Sequence, residues 1–98
     1  MNFIIMKNVL LLGATGSIGK SVLSVISQNK ESLNLIGISF NKNVSRYKEI
    51  LEEHSPEYVY IEDHDSFKSI CSKDKERYLN GDVELERLII RDDVDIIV

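Results

Sequence analysis

Gly13-Ala14-Thr15-Gly16-Ser17-Ile18-Gly19 has the residue types and spacing of a turn that holds a phosphate group. Glycine at every third position lets the backbone turn sharply, approach a ligand with no Cβ in the way, and pack a new helix closely on the preceding strand. The residues before it, Val9-Leu10-Leu11-Leu12, form a continuous apolar run, the pattern of a buried strand in a parallel sheet. From Ser21 to Ile26 the apolar period becomes helical. A helix starting at this point offers unpaired N–H groups and a partial positive charge, so an anion is its natural ligand.

A second candidate lies at the end of the next β-prone run, Leu33 to Phe40, where the chain reads Asn41-Lys42-Asn43. A fold that binds NAD places Asp or Glu there, on the ribose 2′-hydroxyl. A cation at the same place pairs with a 2′-phosphate that a carboxylate would repel, so NADP(H) is the preferred ligand. The same turn also satisfies a degenerate P-loop pattern, Ala14-Thr15-Gly16-Ser17-Ile18-Gly19-Lys20-Ser21, with Ile61-Glu62-Asp63 as a possible acidic second element. Gly13 ends its strand at once and the glycines follow with two-residue gaps, a shorter turn than one that wraps a triphosphate, and this favours the dinucleotide. Lys20 is then a solvent-facing residue of the first helix. The plain alternatives are a glycine turn that binds nothing and, for Lys42, a solvated charge.

Other reactive side chains point to structure. His54 and His64 have no second ligand at metal spacing and stand near helix ends, which implies surface or capping roles. Glu52-Glu53, Glu62-Asp63 and Asp92-Asp93 are neighbours in sequence, so the members of each pair diverge in direction. No tyrosine stands in a Tyr-x-x-x-Lys pair of the kind that short-chain dehydrogenases use. Cys71 is the only cysteine, expected to be buried and inert; a disulfide framework or thiolate metal cluster is excluded and a reducing cytoplasm is implied.

The elements that position these residues alternate. Ninety-eight residues, 43% of them hydrophobic, make one small domain, residues 1–98. The net charge of -4 gives no basic footprint for nucleic acid or an acidic membrane surface, and no apolar run approaches membrane-span length. Residues 2–6 are apolar but lack the parts of a signal peptide. Met6 could be the native start, with Lys7-Asn8-Val9 opening the first strand, or Phe3 to Ile5 could lengthen it. Ile18, Val22, Val25 and Ile26 read as one helical stripe, stopped at Gln28-Asn29-Lys30. Asn43 caps a second helix carrying Val44, Tyr47, Ile50 and Leu51, which ends before Ser55-Pro56. Tyr58 to Ile61 is a third strand, Asp63 or Asp65 caps a third helix with Phe67, Ile70 and Cys71, and a charged stretch runs from Lys73 to Arg77. Asn80-Gly81 marks a turn, Leu85, Leu88 and Ile89 a fourth helix, and Val94 to Val98 a fourth strand. The order β-α-β-α-β-α-α-β predicts an α/β fold, a Rossmann-like parallel sheet with helices on both faces, truncated after about four strands. The chain is accordingly expected to be the N-terminal piece of a longer protein.

Taken together, Leu12 to Gly19, Asn41-Lys42-Asn43-Val44 and Ser55-Pro56-Glu57-Tyr58 make the chain resemble the start of the 1-deoxy-D-xylulose 5-phosphate reductoisomerases. The resemblance covers essentially the whole chain, through Asp93-Val94-Asp95-Ile96-Ile97-Val98. It implies NADPH held by Thr15, Gly16, Ser17 and Ile18, with Gly13 and Gly19 shaping the turn, and by Asn41, Lys42 and Asn43. Asn41 replaces the glycine most common in the family, keeping tolerance of a left-handed backbone while adding a side chain near the adenosine. The implied reaction rearranges a ketose phosphate and reduces it with NADPH to 2-C-methyl-D-erythritol 4-phosphate, for isoprenoid synthesis. A divalent metal (Mn or Mg), held by carboxylates downstream of Val98, assists; no catalytic or metal residue is expected within residues 1–98, which alone should be inactive. A cytoplasmic homodimer is also implied. Another NADP-dependent reductase and a non-catalytic NADP-binding module are the competing readings.

Overall fold

The computed structural model describes residues 5–71 and 77–98. Five parallel strands form one sheet, β1 (Lys7–Leu11), β2 (Leu33–Phe40), β3 (Tyr58–Ile61), β4 (Tyr78–Leu79) and β5 (Ile96–Ile97), in the order β4-β3-β2-β1-β5. Among the described residues, four helices connect them: α1 (Ser17–Gln28), α2 (Val44–Glu53), α3 (His64–Ile70) and α4 (Asp82–Ile89). The chain steps outward from β1 to β4, then returns through α4 to the far side of β1. The loop after β1 therefore lies where the winding reverses, the place at which open parallel sheets bind ligands.

Alternation along the strands divides the core. Val9, Leu11, Ile38, Phe40, Val59 and Ile61 pack on the face that α1, α2 and α3 cover. Leu10 and Tyr60 face the other way, against Leu85, Leu88 and Ile89 of α4. Leu35 and Ile38 share a face although their numbers differ by three, because the β1–β2 register shifts between Val9 and Leu10, which skips Ile36. Phe40 stacks on Tyr47 at 4.8 Å, and the Tyr47 hydroxyl meets that of Tyr78 at 2.9 Å. Burial, then the Tyr78 hydrogen bond, raise the Tyr47 pKa.

Several expectations need correction. The sheet has five strands, not four: Tyr78–Leu79 pairs with Val59 and Tyr60, and two residues are too few for any periodicity to reveal. Lys73 to Lys75 and Glu76, in the charged stretch, lie outside the described residues, as do Phe3 and Ile4; Ile5 is exposed and outside β1. The last strand is Ile96–Ile97, shorter than Val94 to Val98, although Val98 N–H still donates to the Leu10 carbonyl at 3.0 Å. On α1 the buried stripe is Gly19, Leu23 and Ile26, with Val22 beside it. Ile18 and Val25 are exposed, since Gly19 sets the contact line and the helix turns its bulkier neighbours outward. Of the surface or capping role expected for His54, the capping one holds: it is the C-cap of α2, buried at 8% exposure, with Nε2 3.3 Å from the Ser27 hydroxyl. Cys71 is half-buried rather than buried, because it closes α3 as its C-cap. The caps Asn43 and Asp63 stand as the sequence indicates.

Candidate cofactor site

The turn after β1 is fastened to both neighbouring strands. Leu12 N–H donates to the Val98 carbonyl at 3.0 Å and Ala14 N–H to the Ser39 carbonyl at 2.8 Å. Between them, Gly13 N–H donates to the Ser39 hydroxyl at 2.8 Å. Gly13 has φ +72°, the left-handed conformation that L side chains rarely adopt, and this reverses the chain. Gly16 N–H closes the turn on the Gly13 carbonyl at 3.2 Å. Helix α1 then starts with Gly16 as its N-cap and no side chain capping it.

Among the described residues, the amides of Thr15, Ser17, Ile18 and Gly19 are left without an acceptor. These N–H groups add to the positive end of the helix dipole, so the turn is suited to hold an anion. Gly19 explains how α1 comes so close. A Cβ there would be driven into the Ala14 carbonyl and to within 2.7 Å of the Gly13 oxygen.

The end of β2 forms the other side of a cleft of about 480 Å³, lined by Gly13, Thr15, Gly16, Ser39 and Asn41, among others. Lys42 follows, exposed; its carbonyl accepts from Val44 N–H at 2.8 Å, while its ammonium has no hydrogen bond or ion pair among the described residues. Asn43 Oδ1 accepts from Arg46 N–H and from the Ser45 hydroxyl, each at 3.1 Å, which commits that oxygen to capping α2 and leaves the amide nitrogen for a ligand. Asn41 has no left-handed backbone, since among the described residues only glycines have positive φ; the tolerance expected of it is not used. The Ser66 hydroxyl and amide hold the Asp63 carboxyl below the usual range, and the charge of Lys42 lowers it further. Tyr60, Glu62, Asp82 and Leu85 complete the far wall. Burial, then the charge of Asp82, raise the Tyr60 pKa.

The fold thus gathers Gly13, Thr15, Gly16 and Asn41 around one cleft, with Ser17, Ile18 and Gly19 as the adjoining first turn of α1 and Lys42 and Asn43 directly beyond Asn41. Lys20 is elsewhere. It lines a separate cleft between α1 and α2 with Arg46 and Glu49, and its amide is bonded to the Gly16 carbonyl, which gives a triphosphate reading no support. Sequence reasoning missed Ser39, Tyr60 and Asp82 as lining residues, and named Glu62 only for the P-loop alternative. Asp82 was within reach, because it follows the Asn80-Gly81 turn; Ser39 was a single hydroxyl in an apolar strand. Among the described residues no group of three or more His, Cys, Asp and Glu side chains could hold a metal ion, and no helix is long and apolar enough to cross a membrane.

Residues 9–98 match the family model described as 1-deoxy-D-xylulose 5-phosphate reductoisomerase. The chain belongs to this family. It is 36% identical to the reductoisomerase of Clostridium perfringens over 98 residues, covering 95% of this chain and 26% of that one. The Clostridium tetani enzyme is 39% identical over the same shares. The chain therefore spans about a quarter of the length of the curated reductoisomerases it matches. In fold it is similar to a crystal structure of DOX-P reductoisomerase with fosmidomycin and magnesium, with TM-score 0.83 over 94% of this chain and 24% of that one, at 24% identity. The reductoisomerase of Zymomonas mobilis in complex with NADPH gives TM-score 0.65 at 26% identity, over 78% of this chain and 21% of that one.

Proposed function

We propose that residues 1–98 are the NADPH-binding, Rossmann-like segment of an enzyme that rearranges 1-deoxy-D-xylulose 5-phosphate and reduces the product to 2-C-methyl-D-erythritol 4-phosphate. One observation carries the reading: the turn whose amides at Thr15, Ser17, Ile18 and Gly19 are unpaired shares one cleft with Asn41 at the end of β2, and Lys42 is the next residue. The fit to NADPH rests on those groups and on the close approach of α1 to the turn that Gly19 permits. The amides of Thr15, Ser17, Ile18 and Gly19, with the hydroxyls of Thr15 and Ser17, hold the pyrophosphate. Lys42 pairs with the 2′-phosphate and the Asn43 amide nitrogen donates beside it, with Asn41 against the adenosine. Held by these residues, NADPH would supply the hydride that reduces the aldehyde formed by rearrangement, with a proton added at the aldehyde oxygen and NADP⁺ as the other product. The residues of this segment bind and orient; they take no part in proton transfer.

The described residues do not fit a divalent metal. Its carboxylates, together with the groups that hold the substrate phosphate, belong in this reading to chain outside residues 1–98, with manganese or magnesium as the ion and a cytoplasmic homodimer as the working form. Clostridial relatives at 36–39% identity and a relative that binds NADPH support the assignment. The test is an assay of the full-length protein with the ketose phosphate, Mn²⁺ and NADPH. Consumption of NADPH that depends on both sugar and metal is expected. No turnover alongside tight NADPH binding would instead favour a cofactor-binding module.

A further inference from the structure

We infer that Ser39 is a positioning residue for the cofactor turn, its hydroxyl holding Gly13 N–H so that the amides after Gly13 stay aimed at the cofactor phosphate. The inference rests on the NADPH reading. Ser39 is the one hydroxyl in the last five residues of β2, Ile36-Gly37-Ile38-Ser39-Phe40. Its neighbour Phe40 points into the core under α2, so Ser39 faces the α4 side, where the cleft opens. Here β1 leaves its ladders. Leu12 N–H goes to β5's end and Ala14 N–H to the β2 backbone, and the Gly13 amide between them is met by a side chain, the Ser39 oxygen at 2.8 Å.

That contact clamps the residue whose φ of +72° sets the direction of the turn. Every amide assigned to the pyrophosphate comes after it. Without the hydroxyl, Gly13 N–H must turn to water or rotate with the Leu12 carbonyl in its peptide plane, and that rotation changes φ at Gly13, the torsion that aims the carbonyl closing the turn on Gly16. A hydroxyl that only satisfied itself in a strand would have no effect on the cofactor.

In the full-length protein, Ser39→Ala is expected to raise KM for NADPH about fivefold, the value of one neutral hydrogen bond, and to leave kcat at saturating NADPH within about twofold. Amide exchange at Gly13 without cofactor should speed up in the same variant, and Ser39→Thr should restore both. Unchanged KM, a KM change without faster Gly13 exchange, or failure of threonine to rescue would each overturn the role. Should Ser39→Ala not fold, Ser39→Cys takes its place: sulfur accepts poorly, so NADPH must bind more weakly than to the threonine variant, and equal binding overturns the role. A wild-type protein that binds no NADPH refutes the cofactor reading and the role with it, while Gly13 exchange still reports whether the contact exists.

Discussion

Gly19→Ala tests the close approach of α1 to the turn. Judged on helix propensity alone, alanine should stabilise the helix by about 1 kcal/mol. The surroundings reverse that sign. The added Cβ would meet the Ala14 carbonyl and lie 2.7 Å from the Gly13 oxygen, both backbone atoms that cannot swing aside like a side chain. Relief requires moving the turn, and the turn is pinned by the bonds from Gly13 and Ala14 to Ser39. Overpacking of this kind costs about 1–3 kcal/mol, and loosening the two pinned bonds adds about 1 kcal/mol each, so after the helix-propensity gain of about 1 kcal/mol a net loss of about 2–4 kcal/mol is expected. Urea denaturation of the full-length protein measures it, with NADPH titration alongside. Gly16→Ala is the control. Its Cβ would stand 3.5 Å from the Gly13 oxygen, an ordinary contact, so stability should change by less than about 1 kcal/mol while NADPH binding falls. A Gly19→Ala protein as stable as wild type and equally good at binding NADPH would refute the packing argument.

Lys42→Glu should weaken NADPH by about tenfold or more and NADH hardly at all, since a charge-assisted bond to the 2′-phosphate is replaced by repulsion; equal losses in paired titrations would remove Lys42 from the 2′-phosphate. Gly13→Ala meets no atom within 4 Å, so its cost is the left-handed backbone alone, about 1–2 kcal/mol by denaturant unfolding. His54 links stability to pH. Burial lowers its pKa, with Lys30 and Arg46 adding to the effect and Glu53 opposing it. The unfolded chain therefore takes up the proton first, and stability should fall as pH drops below roughly 6.5 and level off below the folded-state value. Unfolding midpoints at pH 8 and pH 5 should differ for wild type and less so for His54→Gln; identical pH slopes would exclude His54.

Much of this was legible from residue patterns. The glycine turn, β2, β3 and the Asn43 and Asp63 caps follow from spacing, because each couples a backbone requirement to a residue type that meets it. The face of α1 did not, since apolar period cannot show that a glycine, Gly19, sets the contact line and turns Ile18 outward. Strand β4 is too short to have a period and is defined only by pairing with β3. His54 reads as a polar helix end, yet the fold covers it beside Ser27. Ser39 carries no signal of its own; its meaning comes from the Gly13 amide that its hydroxyl accepts from.

The central claim is that the first glycine turn and Lys42 form one NADPH site. Fluorescence titration of the full-length protein with NADPH, NADH and ATP tests it most directly. NADPH should bind tightly, NADH at least about tenfold more weakly for want of the 2′-phosphate, and ATP no better than NADH. Tight ATP binding with no response to NADPH would contradict it.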